Sequence, residues 1–97
     1  MSKTASTIAS HAAALVTGDR NDTYGHPLDD FTRTGLMWGA ILGIEVTAEQ
    51  VALMMVALKI SRECHTPHPT NDNIVDGVGY LLTHALVVEE RAARATR

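Results

Sequence analysis

Apolar residues recur at spacings of three and four through most of the chain, and polar punctuation cuts this pattern into four stretches. The first spans residues 4–16 and stops at Gly18 in the polar run TGDRND. The second spans 28–42: Pro27 suits a first helical turn, and Asp29 and Asp30 suit the positive end of the helix dipole. Phe31, Gly35, Trp38 and Leu42 then share a face, and Gly43 is placed to close the helix. Gly35 and Gly39 cost helix stability, and their four-residue recurrence predicts a tight helix crossing. The third stretch, 48–63, opens with a start signal in which Thr47 caps and Gln50 reaches back. Its segment VALMMVAL is apolar all round, which predicts burial on every side. After the breaker HTPHPTN, where Asn71 or Asp72 can cap, the fourth stretch runs over 72–94, roughly 35 Å of helix.

Composition narrows the fold class. Ninety-seven residues support one core, and 45% hydrophobic content with only one Trp, one Phe and two Tyr favours packed helices over an aromatic-rich sandwich. The expectation is a single all-α domain, a four-helix bundle-like fold. One helix cannot be wholly hidden in so small a monomer, so a homo-oligomer, dimer or higher, is expected to complete the burial. The net charge of -3 offers no general attraction to phosphate backbones or anionic membranes, so neither a nucleic-acid polymer nor a membrane is an expected partner. Arg91, Arg94 and Arg97 read as the solvated, dipole-favoured end of the last helix. Cys64 is alone, which suits a reducing compartment, and the first apolar segment is too short to span a bilayer; both fit a cytoplasmic protein.

Candidate chemistry concentrates in two places. On the fourth helix, Asp72, Asp76, Gly79, Tyr80 and Thr83 form one polar stripe between apolar neighbours. On the third, Lys59 and Arg62 share a face that meets Asp72 and Asp76 if the two helices pack antiparallel. Such a meeting is either a pair of salt bridges at a helix hairpin or a mixed-charge pocket, with carboxylates on Mg²⁺ and cations on phosphate oxygens. A magnesium site at Asp72 and Asp76 would need Asp29, Asp30 or Glu49 from other helices to complete it. The second place is the connection GDRNDTYGHP, where Arg20, Asn21, Tyr24 and His26 surround Gly25. There Tyr24 can stack on a base and Arg20 can pair with phosphate, or the loop is simply pinned by Tyr24 packed on the bundle. Cys64, His65, His68 and Asp72 supply zinc-ligand types, though not at a standard structural spacing.

Four ordered segments, RNDTYG, F-x-x-x-G-x-x-W, VALMMVALKISR and DNIVDGVGY, resemble a family of small phage-encoded proteins of unassigned function over about residues 18–88. That family in turn looks like a distant relative of the MazG-like all-α nucleoside triphosphate pyrophosphohydrolases. In those enzymes, two glutamates three apart on one helix and a glutamate and an aspartate three apart on the next bind Mg²⁺. The resemblance sets Asp72 and Asp76 against the second pair, here four apart, and places Lys59 and Arg62 where acids would stand. It implies a helical scaffold with a nucleotide-sized cleft, binding a nucleotide or related phosphorylated metabolite, with pyrophosphohydrolase activity as its catalytic form. Asp72, Asp76, Lys59 and Arg62 would then carry catalysis, and Arg20, Asn21, Tyr24, His26 and Tyr80 would hold the ligand. The alternatives are a non-catalytic protein that sequesters a nucleotide and a purely structural or interaction bundle.

Overall fold

The computed structural model describes residues 3–18, 20–67 and 72–97, and every regular element among them is a helix: α1 (Lys3–Thr17), α2 (Arg20–Tyr24), α3 (Pro27–Leu42), α4 (Ala48–His65) and α5 (Asp72–Ala95). The four long helices begin and end within two residues of the periodic stretches. The short α2 is the addition, a single helical turn inside the connection read as a loop, closed where the Gly25 amide donates to the Asn21 carbonyl at 2.9 Å. Gly25 then turns the chain at φ 82°, a region closed to most side chains. His68 and the proposed cap at Asn71 lie outside the described residues, as does the side chain of Arg20.

Local sequence explains the helix ends. His26, with extended backbone, accepts the Leu28 amide at Nδ1 (3.0 Å), and Pro27 follows it, so α3 starts on a side-chain cap rather than on a free histidine. Gly43 ends α3 in the left-handed conformation, φ 74°. Thr47 and Gln50 form a reciprocal capping box on α4: Thr47 Oγ1 accepts the Gln50 amide at 3.2 Å and Gln50 Oε1 accepts the Thr47 amide at 2.9 Å.

The long α5 is the spine. It packs most extensively on α4, then on α1 and α3, while α3 and α4 also pack together. Leu28, Phe31, Val46, Ala48, Val51, Ala52 and Val87 make the core, with Trp38 and Tyr80 against it. Gly79 is buried where α1 crosses, and a Cβ there would just touch Val16. Gly35 and Gly39 meet something other than the expected helix crossing. A Cβ at Gly35 would strike the Val46 carbonyl oxygen, and one at Gly39 would come within 2.5 Å of the Ile44 carbonyl oxygen. The neighbour is the extended connection between α3 and α4, laid back along the glycine face.

Burial of α4 also differs from its apolar pattern. Val51 and Ala52 are buried, but Leu53, Met54 and Leu58 are exposed. Three helices of this length cannot surround a fourth within one short chain.

The basic end of α5 is not merely solvated. Arg91 grips Glu49 with Nε and Nη2 at 2.6 and 2.8 Å. Arg94 grips Asp29 at 2.6 and 2.9 Å and also donates to Glu90 at 2.8 Å, with Arg97 on the same carboxylate at 3.3 Å. These forks tie the last turns of α5 to the first turns of α3 and α4. Hydrogen bonds from Arg94 are the main cause that lowers the Asp29 pKa below its ordinary 3.8, and those from Arg91 lower Glu49 below 4.5. The folded carboxylates therefore bind protons less tightly than the unfolded ones. Their contribution is fully present above the unfolded values and is lost as pH falls through the lowered folded ones. Urea midpoints are expected to hold steady from about pH 7 to about pH 5 and to drop below about pH 4. Glu49→Gln should cost about 0.5–1 kcal/mol at neutral pH, since the pair is half exposed, and should make the acid loss shallower. An acid profile unchanged by that substitution would refute the assignment.

Candidate functional site

Four-residue steps along two helices build one groove. Asp30, Thr34 and Trp38 succeed each other on α3, Val51 and Met55 on α4, and Phe31, Tyr80 from α5 and Tyr24 from α2 complete the walls. Its volume is about 480 Å³, within the range of small-molecule sites. Phe31 forms part of the floor, its ring centroid 6.4 Å from that of Tyr80 and tilted by 30°. Tyr24 is 56% exposed and stands at the rim, while its carbonyl accepts a hydrogen bond from Arg33 at 3.1 Å.

Tyr80 separates this groove from a second hollow of about 300 Å³ that contains Leu15, Val16, Asp76, Gly79 and Thr83. A narrow crevice beside Asn21, Tyr24, Gly25, Asp30 and Thr83 lies between them. Asn21 is held there by donating to the Val16 carbonyl at 3.4 Å. Tyr24, Tyr80 and Asn21 thus come together, while His26 is spent on capping α3.

The charged candidates divide. Lys59 Nζ lies 3.1 Å from Asp76 Oδ2, the meeting that antiparallel packing of α4 and α5 implied, with the lysine side chain 14% exposed. Arg62 and Asp72 are both exposed, towards the joined ends of the two helices. Met55 and Lys59 are one turn apart on α4, and Tyr80 and Asp76 one turn apart on α5, so the ion pair lies about 5–6 Å beyond the Met55–Tyr80 edge of the groove. Among the described residues, no three His, Cys, Asp or Glu side chains gather as a metal-binding group. Asp29 and Glu49, considered as further magnesium ligands, are held by Arg94 and Arg91. Asp30 lies in the groove wall instead. Cys64 and His65 are exposed.

Sequence reasoning missed Trp38, Phe31, Asp30 and Thr34 as groove residues. The signal was present, because the chain has only four aromatic residues, and all four line this one groove. Glu63 was also passed over. It shares the Lys59 face of α4, and its Oε1 is buried without a hydrogen-bond partner among the described residues.

Comparison with known proteins places this chain in a family. Residues 7–88 match the family described as a domain of unknown function, DUF6378. The chain belongs to that family. It is also 36% identical over 74 residues to the Gene 55 protein of Mycobacterium phage L5, covering 75% of this chain and 47% of that protein. The Gene 55 protein of Mycobacterium phage D29 is 34% identical over 73 residues, covering 75% of this chain and 48% of its own length. The chain therefore spans about half the length of these curated relatives. No solved structure matches it. A relation to small phage proteins of unassigned function thus stands on both the motifs and the relatives. Among the described residues, no helix is long and apolar enough to cross a membrane.

Proposed function

We propose that the chain binds a nucleotide or a related phosphorylated metabolite, with the base in the groove between α3, α4 and α5. The observation that carries this reading is the convergence of Tyr24, Phe31, Trp38 and Tyr80 on one open groove in a chain with no other aromatic residue. Tyr24, Trp38 and Tyr80, left partly accessible around a nucleotide-sized space over buried Phe31, suit base stacking, which is worth about 1–3 kcal/mol per base. Asp30 offers a carboxylate acceptor for an exocyclic amine or a ribose hydroxyl. Lys59, one turn beyond Met55, is the nearest cation for a phosphate, which would share it with Asp76, and Arg62 stands further out. A small phosphorylated ligand, rather than a nucleic-acid polymer, fits both the groove size and the net charge of -3. Such a ligand would be met in the host cytoplasm.

Mg²⁺ is a poor fit to these residues on their own. Asp76 is already neutralised by Lys59, Asp72 stands exposed, and an ammonium beside a carboxylate opposes a divalent cation there. This favours sequestration over a MazG-like pyrophosphohydrolase. Trp38, the single tryptophan, reports directly on the groove. Nucleoside mono-, di- and triphosphates titrated into the protein should quench its fluorescence in EDTA as well as in Mg²⁺, without pyrophosphate release. Lys59→Met should weaken a triphosphate by about tenfold while leaving the nucleoside unaffected, equivalent to about 1.4 kcal/mol. Turnover with Mg²⁺ would select the hydrolase instead. No response of Trp38 fluorescence to any nucleotide would end the binding proposal.

A further inference from the structure

We propose that a second copy of this chain docks on the exposed apolar face of α3 and α4 and closes the aromatic groove. On α3, Leu36, Met37 and Ile41 are 70%, 67% and 82% exposed, and on α4 Leu53, Met54 and Leu58 continue the apolar surface. At the C-terminal end of α3, Leu42 and Ile44 meet Leu53 and Met54 of α4 around a mostly apolar hollow, with Glu45 and Gln50 also in its lining. Soluble monomers seldom leave so large a contiguous apolar area in water.

The area deficit is about that of one dimer interface. A compact chain of 10.4 kDa is expected to expose about 5,400 Å², whereas this one exposes 6390 Å². The excess, about 1,000 Å², compares with about 800 Å² covered per partner in a standard interface. The radius of gyration says the same, at 14.5 Å against about 12.5 Å for a compact domain of this length. The face is also suited to its own copy. A two-fold interface sets one patch against itself, so a central charge would meet its own like. Residues 36–44 and 53–58 contain no charged side chain, and Glu45 is the one charged residue that lines the hollow between them.

Docking there would reach the candidate site. On the α3 wheel, Met37 and Ile41 stand beside Thr34 and Trp38; on α4, Met54 and Leu58 stand beside Val51 and Met55. A copy covering the first set lies over the mouth of the groove, so the partner supplies the missing wall. The dimer itself requires no ligand. Its use in retaining a nucleotide rests on the binding proposed above.

Light scattering with size-exclusion chromatography on the full chain at tens of micromolar, without nucleotide, tests the interface. The expected mass is twice 10.4 kDa. Ile41→Glu and Leu53→Glu should each return it to one chain with helical circular dichroism intact, since both side chains already face solvent within the chain. Should either lose helix, Met37→Lys takes its place in the same stripe. Acrylamide quenching of Trp38 tests closure, again without ligand: the quenching constant should rise at least twofold in the monomeric variant. A monomeric wild type overturns the proposal, as does a dimer indifferent to these substitutions. An unchanged quenching constant in the dissociated variant overturns closure. A failed nucleotide titration would leave all three measurements standing.

Discussion

Replacing Gly35 by alanine is expected to lower stability by about 2–3 kcal/mol, because the added methyl has backbone rather than a yielding side chain in its way. A Cβ at position 35 runs into the Val46 carbonyl oxygen, with the Val46 and Thr47 carbonyl carbons behind it at 3.2 and 3.5 Å. This backbone cannot retreat cheaply. Val46 belongs to the core, and the next residue, Thr47, is fixed by the capping box that starts α4. Relieving the clash means moving the start of α4 away from α3, with Ala48, Val51 and Ala52 carried along. For a domain of this size the melting temperature should fall by about 10–20 °C. Gly43→Ala is the informative comparison. It has a positive φ of 74° and open space around a Cβ, so its cost is local strain of about 1 kcal/mol. If Gly35→Ala costs no more than Gly43→Ala in urea unfolding, the connection does not lie against α3 as described.

Phe31→Ala is expected to cost about 3 kcal/mol and to open the floor of the groove. The ring is 6% exposed, packs in the core with Leu28 and Val51, and faces Tyr80. Its removal leaves a cavity that helices pinned by the Arg91 and Arg94 forks cannot fully collapse. Total stabilities of small domains are about 5–15 kcal/mol, so this change brings the chain near the threshold of folding. Phe31→Leu preserves apolar volume and should cost about 1 kcal/mol. The pair separates two roles. If Phe31→Leu folds normally but loses the Trp38 response to nucleotides, the ring matters for stacking; if only the alanine variant is impaired, Phe31 serves the core alone.

How much of this was legible in the sequence varies residue by residue. Thr47 and Gln50 announced the start of α4 because a capping box is built from residues three apart, whatever the rest of the chain does. Asp76 and Lys59 could be paired on the assumption of antiparallel neighbours, since a short connection leaves little else for two long helices to do. By contrast, Arg94 and Asp29 are 65 residues apart and Arg91 and Glu49 are 42 apart, and no periodicity encodes which helix ends meet. His26 stood among the candidate ligand-binding residues because its cap depends on one local backbone conformation, which a residue type alone does not fix. Leu53, Met54 and Leu58 show the same limit in reverse. An apolar pattern states that a surface prefers burial, but not whether this chain has enough neighbours to bury it.

The sequence by itself determined the all-helical character, the positions of the long helices and the caps at Gly43 and Thr47, since these rest on spacings within a turn or two. It also limited the chain to four aromatic side chains and a net charge of -3. Only the tertiary structure decided that those four rings converge on one groove, that Gly35 and Gly39 receive an extended connection rather than a helix, and that α3 and α4 keep an uncovered apolar face. The reason is physical: helix formation is governed by local hydrogen bonds and side-chain period, whereas convergence and coverage depend on how helices distant in sequence cross.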